Sequence, residues 1–104
     1  MIKFGPSGNS ISFTLEGHKK TEEAAQWVKD RGLDAFEYSF GRGVNMGEEK
    51  ALIIGEAFKE AQVEISVHAP YFINLASTET EKASNSFKYI LESASALKLM
   101  GGKR

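Results

Sequence analysis

In the run Asp34-Ala35-Phe36-Glu37-Tyr38-Ser39-Phe40, the residues Phe36, Tyr38 and Phe40 fall on one face, and Ala35, Glu37 and Ser39 on the other. That two-residue period is the signature of a strand. A second strand is read over Val63-Glu64-Ile65-Ser66-Val67, closed by His68-Ala69-Pro70, since proline cannot donate to a ladder. Between them Ala51, Ile54, Gly55, Phe58 and Ala61 recur at i, i+3, i+4, i+7 and i+10, one continuous helical face. Strand, helix and strand in this order predict a parallel βαβ unit.

Working outward, Ile2 to Phe4 reads as a preceding strand, stopped by the turn cluster Gly5-Pro6-Ser7-Gly8-Asn9. Ile11, Phe13 and Leu15 alternate with polar residues and predict a short extra strand or an extended loop. Thr21 is the expected N-cap of a helix that carries Glu22 and Glu23 in its first turn and Ala24, Trp27 and Val28 on its buried face. That helix should run to about Arg31, with Gly32 as its left-handed stop. Asn45 with Glu48 and Thr78 with Glu81 resemble capping boxes for the next two helices. The last helix shows a stripe of Ala83, Phe87, Ile90, Leu91, Ala94 and Leu97, ended by Gly101 and Gly102.

The expected class is therefore α/β, three βα units with parallel strands. Three such strands leave open edges and a half-covered sheet, so residues 1–104 are read as the N-terminal portion of one larger domain. A fourth strand is expected after Arg104.

Composition narrows the chemistry. With 26% charged and 41% hydrophobic residues, the 104-residue chain lies in the ordinary globular range. A net charge of -1 leaves any nucleic-acid contact to a local patch. The absence of cysteine removes disulfides, thiolate zinc sites and cysteine nucleophiles, so a site must use oxygen and imidazole. No apolar run is long enough to span a bilayer and no secretory leader is visible, which gives a cytoplasmic expectation with no membrane partner.

Sites of βα-repeat proteins form at the C-terminal ends of the strands. Those positions here are the Gly5 to Asn9 loop, the Gly41 to Asn45 loop and the segment His68 to Leu75. An imidazole at a strand end can bind zinc through one nitrogen while the other is held by an acceptor, although a lone histidine there is more often structural. Tyr71 and Phe72 read, without further context, as the lid of a core. Arg42 would be a solvated loop charge and Glu37 a buried or salt-bridged residue, with no metal role assigned to it. The His18-Lys19-Lys20 cluster could meet phosphate but is more often plain surface.

The segments Ser66-Val67-His68-Ala69-Pro70-Tyr71-Phe72-Ile73-Asn74-Leu75-Ala76-Ser77, Phe4-Gly5-Pro6-Ser7-Gly8-Asn9 and Phe40-Gly41-Arg42-Gly43-Val44 resemble endonuclease IV. This apurinic/apyrimidinic endonuclease family has a TIM barrel and a three-zinc site. The resemblance implies a partial (β/α)8 TIM barrel, roughly three-eighths of a fold that takes about 250 residues. It implies that His68 is the first zinc-binding histidine, and that Arg42, Tyr71 and Phe72 enter double-stranded DNA at an abasic site. It further implies metal-assisted phosphodiester hydrolysis in DNA base-excision repair, in which zinc lowers the pKa of a bound water and stabilises the leaving oxygen.

No catalytic residue is assigned within the chain, and the other zinc ligands are expected on later strands. The isolated chain is accordingly expected to be inactive. Alternatives are a xylose isomerase-like sugar isomerase or epimerase, and a non-catalytic half-barrel. Open strand edges would lead the isolated chain to pair with the remaining strands of the barrel or with another copy.

Overall fold

The computed structural model describes residues 2–9, 11–18, 20–41 and 43–104. Its elements are α1 (Ile11–Leu15), α2 (Thr21–Asp30), β1 (Ala35–Ser39), α3 (Glu48–Glu60), β2 (Glu64–His68) and α4 (Thr80–Leu99). β1 and β2 pair in parallel, with Phe36 opposite Ile65, Glu37 opposite Ser66 and Ser39 opposite His68. This is a partial α/β fold of two parallel strands with alternating helices, an incomplete TIM-barrel-like arrangement.

The expected first strand is not a regular one. Residues 2–8 do run beside β1, where Ala35 donates to the Phe4 carbonyl, Glu37 to the Pro6 carbonyl, and Gly8 to the Glu37 carbonyl at 2.8 Å. Only Ser7 and Glu37 form a bridge, however. The Phe4 amide is taken by the Asp34 side chain at 2.7 Å, and Pro6 has no amide to give, so the ladder breaks on both counts. Gly5 passes so close that a methyl group there would collide with the Ala35 carbonyl.

The alternation at Ile11, Phe13 and Leu15 is likewise misleading. These residues form a helix, in which i and i+4 share a face, so Ile11 and Leu15 stay exposed while Phe13 is buried. Phe13 stacks on His18 with ring centroids 4.9 Å apart and meets Trp27 edge-on. Glu16 then locks α1 to α2, accepting from the Trp27 indole and from Arg31, whose guanidinium lies 3.7 Å over the Trp27 ring.

All three expected caps are displaced. α2 is capped by Lys20, whose amide donates to the Glu23 carboxylate at 2.9 Å, leaving Thr21 as the first helical residue. α3 starts after Gly47 and α4 after Glu79, without side-chain caps. Gly32 and Gly101 end their helices with positive φ, as expected of left-handed stops.

The expected α3 stripe is the core itself. Ala51, Ile54, Gly55, Phe58 and Ala61 are all buried, and Phe58 tilts against Phe36 at 5.1 Å. The expected α4 stripe is fully buried only at Leu97. Phe87 is 58% exposed and Leu91 67%, whereas Ser86, Ser93, Ala96 and Met100 take the other buried positions. Where α3 meets the end of α4 the packing is close: a Cβ on Gly55 would lie 2.8 Å from the Met100 backbone, an approach that only small residues permit. Both serines satisfy their hydroxyls within the helix, on the Lys82 and Tyr89 carbonyls. Among the described residues no helix is long and apolar enough to cross a membrane.

Two stability outcomes follow. Gly55→Val should destabilise by about 1–3 kcal/mol, because overpacking forces α3 and α4 apart; urea denaturation measures it. The Glu16 carboxyl is held below the usual range, first by the Trp27 indole and then by Arg31, and Glu64 is lowered by the Lys3 ammonium. A lowered carboxyl contributes stability that is complete above its unfolded value of about 4.3 and is lost as pH falls through the lowered folded value. Melting temperature should therefore fall on acidification below that point, and less steeply in Glu16→Gln.

Candidate functional site at the strand C-termini

Because parallel partners project to the same side, the register sorts the sheet into two faces. Phe36 and Ile65 are buried towards the helices, with Tyr38 and Val67 packed beside them. Burial pushes the Tyr38 phenol above its ordinary pKa. Glu37, Ser39, Ser66 and His68 share the opposite face, which is polar. Ser7 joins this face by donating its hydroxyl to Glu37 Oε1 at 2.7 Å.

His68 is the last residue of β2 and is exposed. Its Nδ1 lies 2.8 Å from the Ala69 carbonyl. A carbonyl can only accept, so Nδ1 is the donor in this contact. The two loops are joined beside it. Phe40 donates to the His68 carbonyl at 3.0 Å and Tyr71 to the Gly41 carbonyl at 3.1 Å.

Tyr71 and Phe72 belong to an aromatic stack braced by α4. Phe72 is 39% exposed and meets Tyr89 edge-on at 4.7 Å; Tyr71, 71% exposed, meets Phe72 edge-on at 5.6 Å. Phe72 is thus a supporting ring and Tyr71 the outer one. Ser86 secures the same segment from beneath, its hydroxyl accepting the Asn74 amide at 2.9 Å. Arg42 lies outside the described residues, as does Lys19 of the small basic cluster.

Three contributors escaped the sequence reading. Ser86 was hidden because a serine within an apparently amphipathic helix suggests the solvent side. Tyr89 gave no signal before the facing loop was placed. Ser7 lay in a turn cluster that reads as punctuation only.

Residues 25–104 match the family described as xylose isomerase-like TIM barrel. The chain belongs to the xylose isomerase-like TIM barrel family. It is also 34% identical over 101 residues to an uncharacterized protein of Methanocaldococcus jannaschii, an alignment covering 97% of this chain and 34% of that protein. The chain thus spans about a third of the length of the relative it matches. In this family's architecture the C-terminal strand ends carry chemistry, which favours the His68 side. A larger cleft of about 650 Å³, lined by Lys3, Lys59, Lys103 and Arg104 among others, lies at the start of β2 and so at the opposite end.

Among the described residues no group of three or more His, Asp, Glu or Cys side chains converges. A tetrahedral zinc takes about four ligands, so the donors described here do not complete such a site.

Ser86→Ala should remove the acceptor of the Asn74 amide, costing about 0.5–1.5 kcal/mol, the scale of one net hydrogen bond. The loss should show as faster hydrogen exchange at Asn74 and its neighbours in the 68–77 segment.

Proposed function

We propose that this chain supplies part of the working face of an endonuclease IV-like apurinic/apyrimidinic endonuclease, a hydrolase that cuts a DNA phosphodiester beside an abasic site. The observation that supports it is the pairing of His68 with Tyr71 at the end of β2. His68 offers an open Nε2, and Tyr71 stands outermost on a braced stack. A rigidly supported exposed ring suits insertion beside a missing base, since it compensates for lost stacking at a kinked step. Arg42, in the loop that touches Tyr71, would add charge to the same contact.

Zinc enters this reading through the family resemblance. His68 would be one ligand, and the others would come from further strands of a single barrel domain of which residues 1–104 form one portion. No hydrolytic step is assigned to residues of this chain.

A sugar-directed isomerase or epimerase of the same family is the second reading, favoured by the hydroxyl-rich face around Glu37. Cut off from the rest of a barrel, the chain should self-associate, and the exposed Phe87 and Leu91 give that association a helix face in addition to strand edges. A monodisperse monomer in light scattering would count against it.

The direct test is incision of a duplex carrying one abasic site by the protein with its full complement of barrel strands. His68→Ala should reduce incision and zinc affinity by on the order of 10²-fold, and Tyr71→Ala should weaken DNA binding more than turnover. No incision by the wild type, or incision unaffected by His68→Ala, would refute the reading.

A further inference from the structure

The least explained charge on the polar sheet face is Glu37. It sits mid-strand on β1, opposite Ser66 in the ladder, with Ser39 and His68 following on the same face towards the strand ends. One carboxylate oxygen accepts from Ser7. Among the described residues Oε2 has no hydrogen bond and Glu37 no ion pair. The nearest described basic groups are Lys3, paired with Glu64 at 2.7 Å, and Arg104, which lines with Lys3, Glu64 and Ser66 a cleft on the same face of the sheet; neither is paired with Glu37. A half-buried carboxylate with an unused oxygen on the polar face that leads to His68 marks a group held ready for a ligand.

The surroundings restrict what that ligand can be. A phosphate diester or a carboxylate has no hydrogen to give Oε2 and would meet its like charge. Among the described residues no group of three or more metal-ligating side chains converges around it. Glu37 with Ser7, Ser39, Ser66 and His68 provides a carboxylate, hydroxyls and an imidazole, a set that pairs with neutral groups able both to donate and to accept.

We propose that Glu37 is a specificity-determining contact of this site, its Oε2 accepting a hydrogen bond from a sugar hydroxyl. This rests on the functional reading above and adds to it the part of the ligand that is recognised. In an abasic site the group would be the C1′ hydroxyl exposed by loss of the base; in a free sugar it would be a ring or chain hydroxyl.

The test compares two duplexes, one with a natural abasic deoxyribose and one with its tetrahydrofuran analogue, which lacks the C1′ hydroxyl. The wild type should favour the natural site in kcat/KM by about tenfold or more, the scale of one charge-assisted hydrogen bond. Glu37→Ala should bring that ratio close to one, with Glu37→Gln in between. Ser7→Ala should preserve the preference.

Equal losses on both duplexes in Glu37→Ala, matched by Ser7→Ala, would mean that Glu37 only clamps the Gly5 to Asn9 loop, and would overturn the proposal. So would a wild type that cuts both duplexes equally well. If the wild type cuts neither, the nuclease reading fails separately, and calorimetry with xylose decides the Glu37 assignment. Binding weakened tenfold or more by Glu37→Ala upholds it; no binding, or binding indifferent to the substitution, overturns it.

Discussion

The parallel pairing of β1 with β2 is the constraint on which the rest of this structure depends. Because side chains alternate along each strand, fixing Phe36 opposite Ile65 also fixes every other residue on both faces. The apolar set is committed to α3 through Phe58, Ile54 and Ala51, and the polar set is left facing away from the helices. A slip of one residue would drive the polar set of one strand, Glu37 of β1 or Ser66 of β2, into that core, so burial enforces the register. The site inherits its geometry from this choice, since His68 beside Ser39 is simply the last pair of the ladder.

Around that ladder, position is held mainly by backbone groups and small side chains. The loop after β1 is tied to the loop after β2 through Phe40, His68, Gly41 and Tyr71, so the Gly41 turn and the histidine segment are positioned together. The histidine segment is in turn held by α4, through Ser86 beneath Asn74 and Tyr89 behind Phe72. Close approach at Gly55 allows α4 to lie where it can do this. With α4 so placed, Phe87 and Leu91 face outward and leave apolar surface uncovered among the described residues.

Much of the fold was legible where one force acted alone. The α3 stripe is buried on one side and wet on the other, and its spacing states this directly. The β1 alternation was readable for the same reason. The α4 stripe was only partly legible: Leu97 is buried as its spacing states, but Ser86 and Ser93, whose hydroxyls bond to their own helix, are buried where Phe87 and Leu91 are not. The first strand failed because Pro6 and the Asp34 carboxylate interrupt a ladder whose composition otherwise looks regular. The displaced caps show that a serine, threonine or asparagine near a helix start does not by itself select the capping residue.

Within the site, His68 and Tyr71 were visible because a sequence motif carried them, whereas Ser7, Ser86 and Tyr89 act through contacts made only once distant segments meet. Glu37 was noticed on the polar strand face, but its tie to Ser7 depends on how residues 5–8 fold back against β1. The account rests on the ladder register, and nuclear Overhauser contacts test it most directly. They should link Phe36 with Ile65 and Ser39 with His68. Side-chain contacts from the Phe36 ring to the Val63 or Val67 methyls, with none to Ile65, would show a shifted register and contradict it.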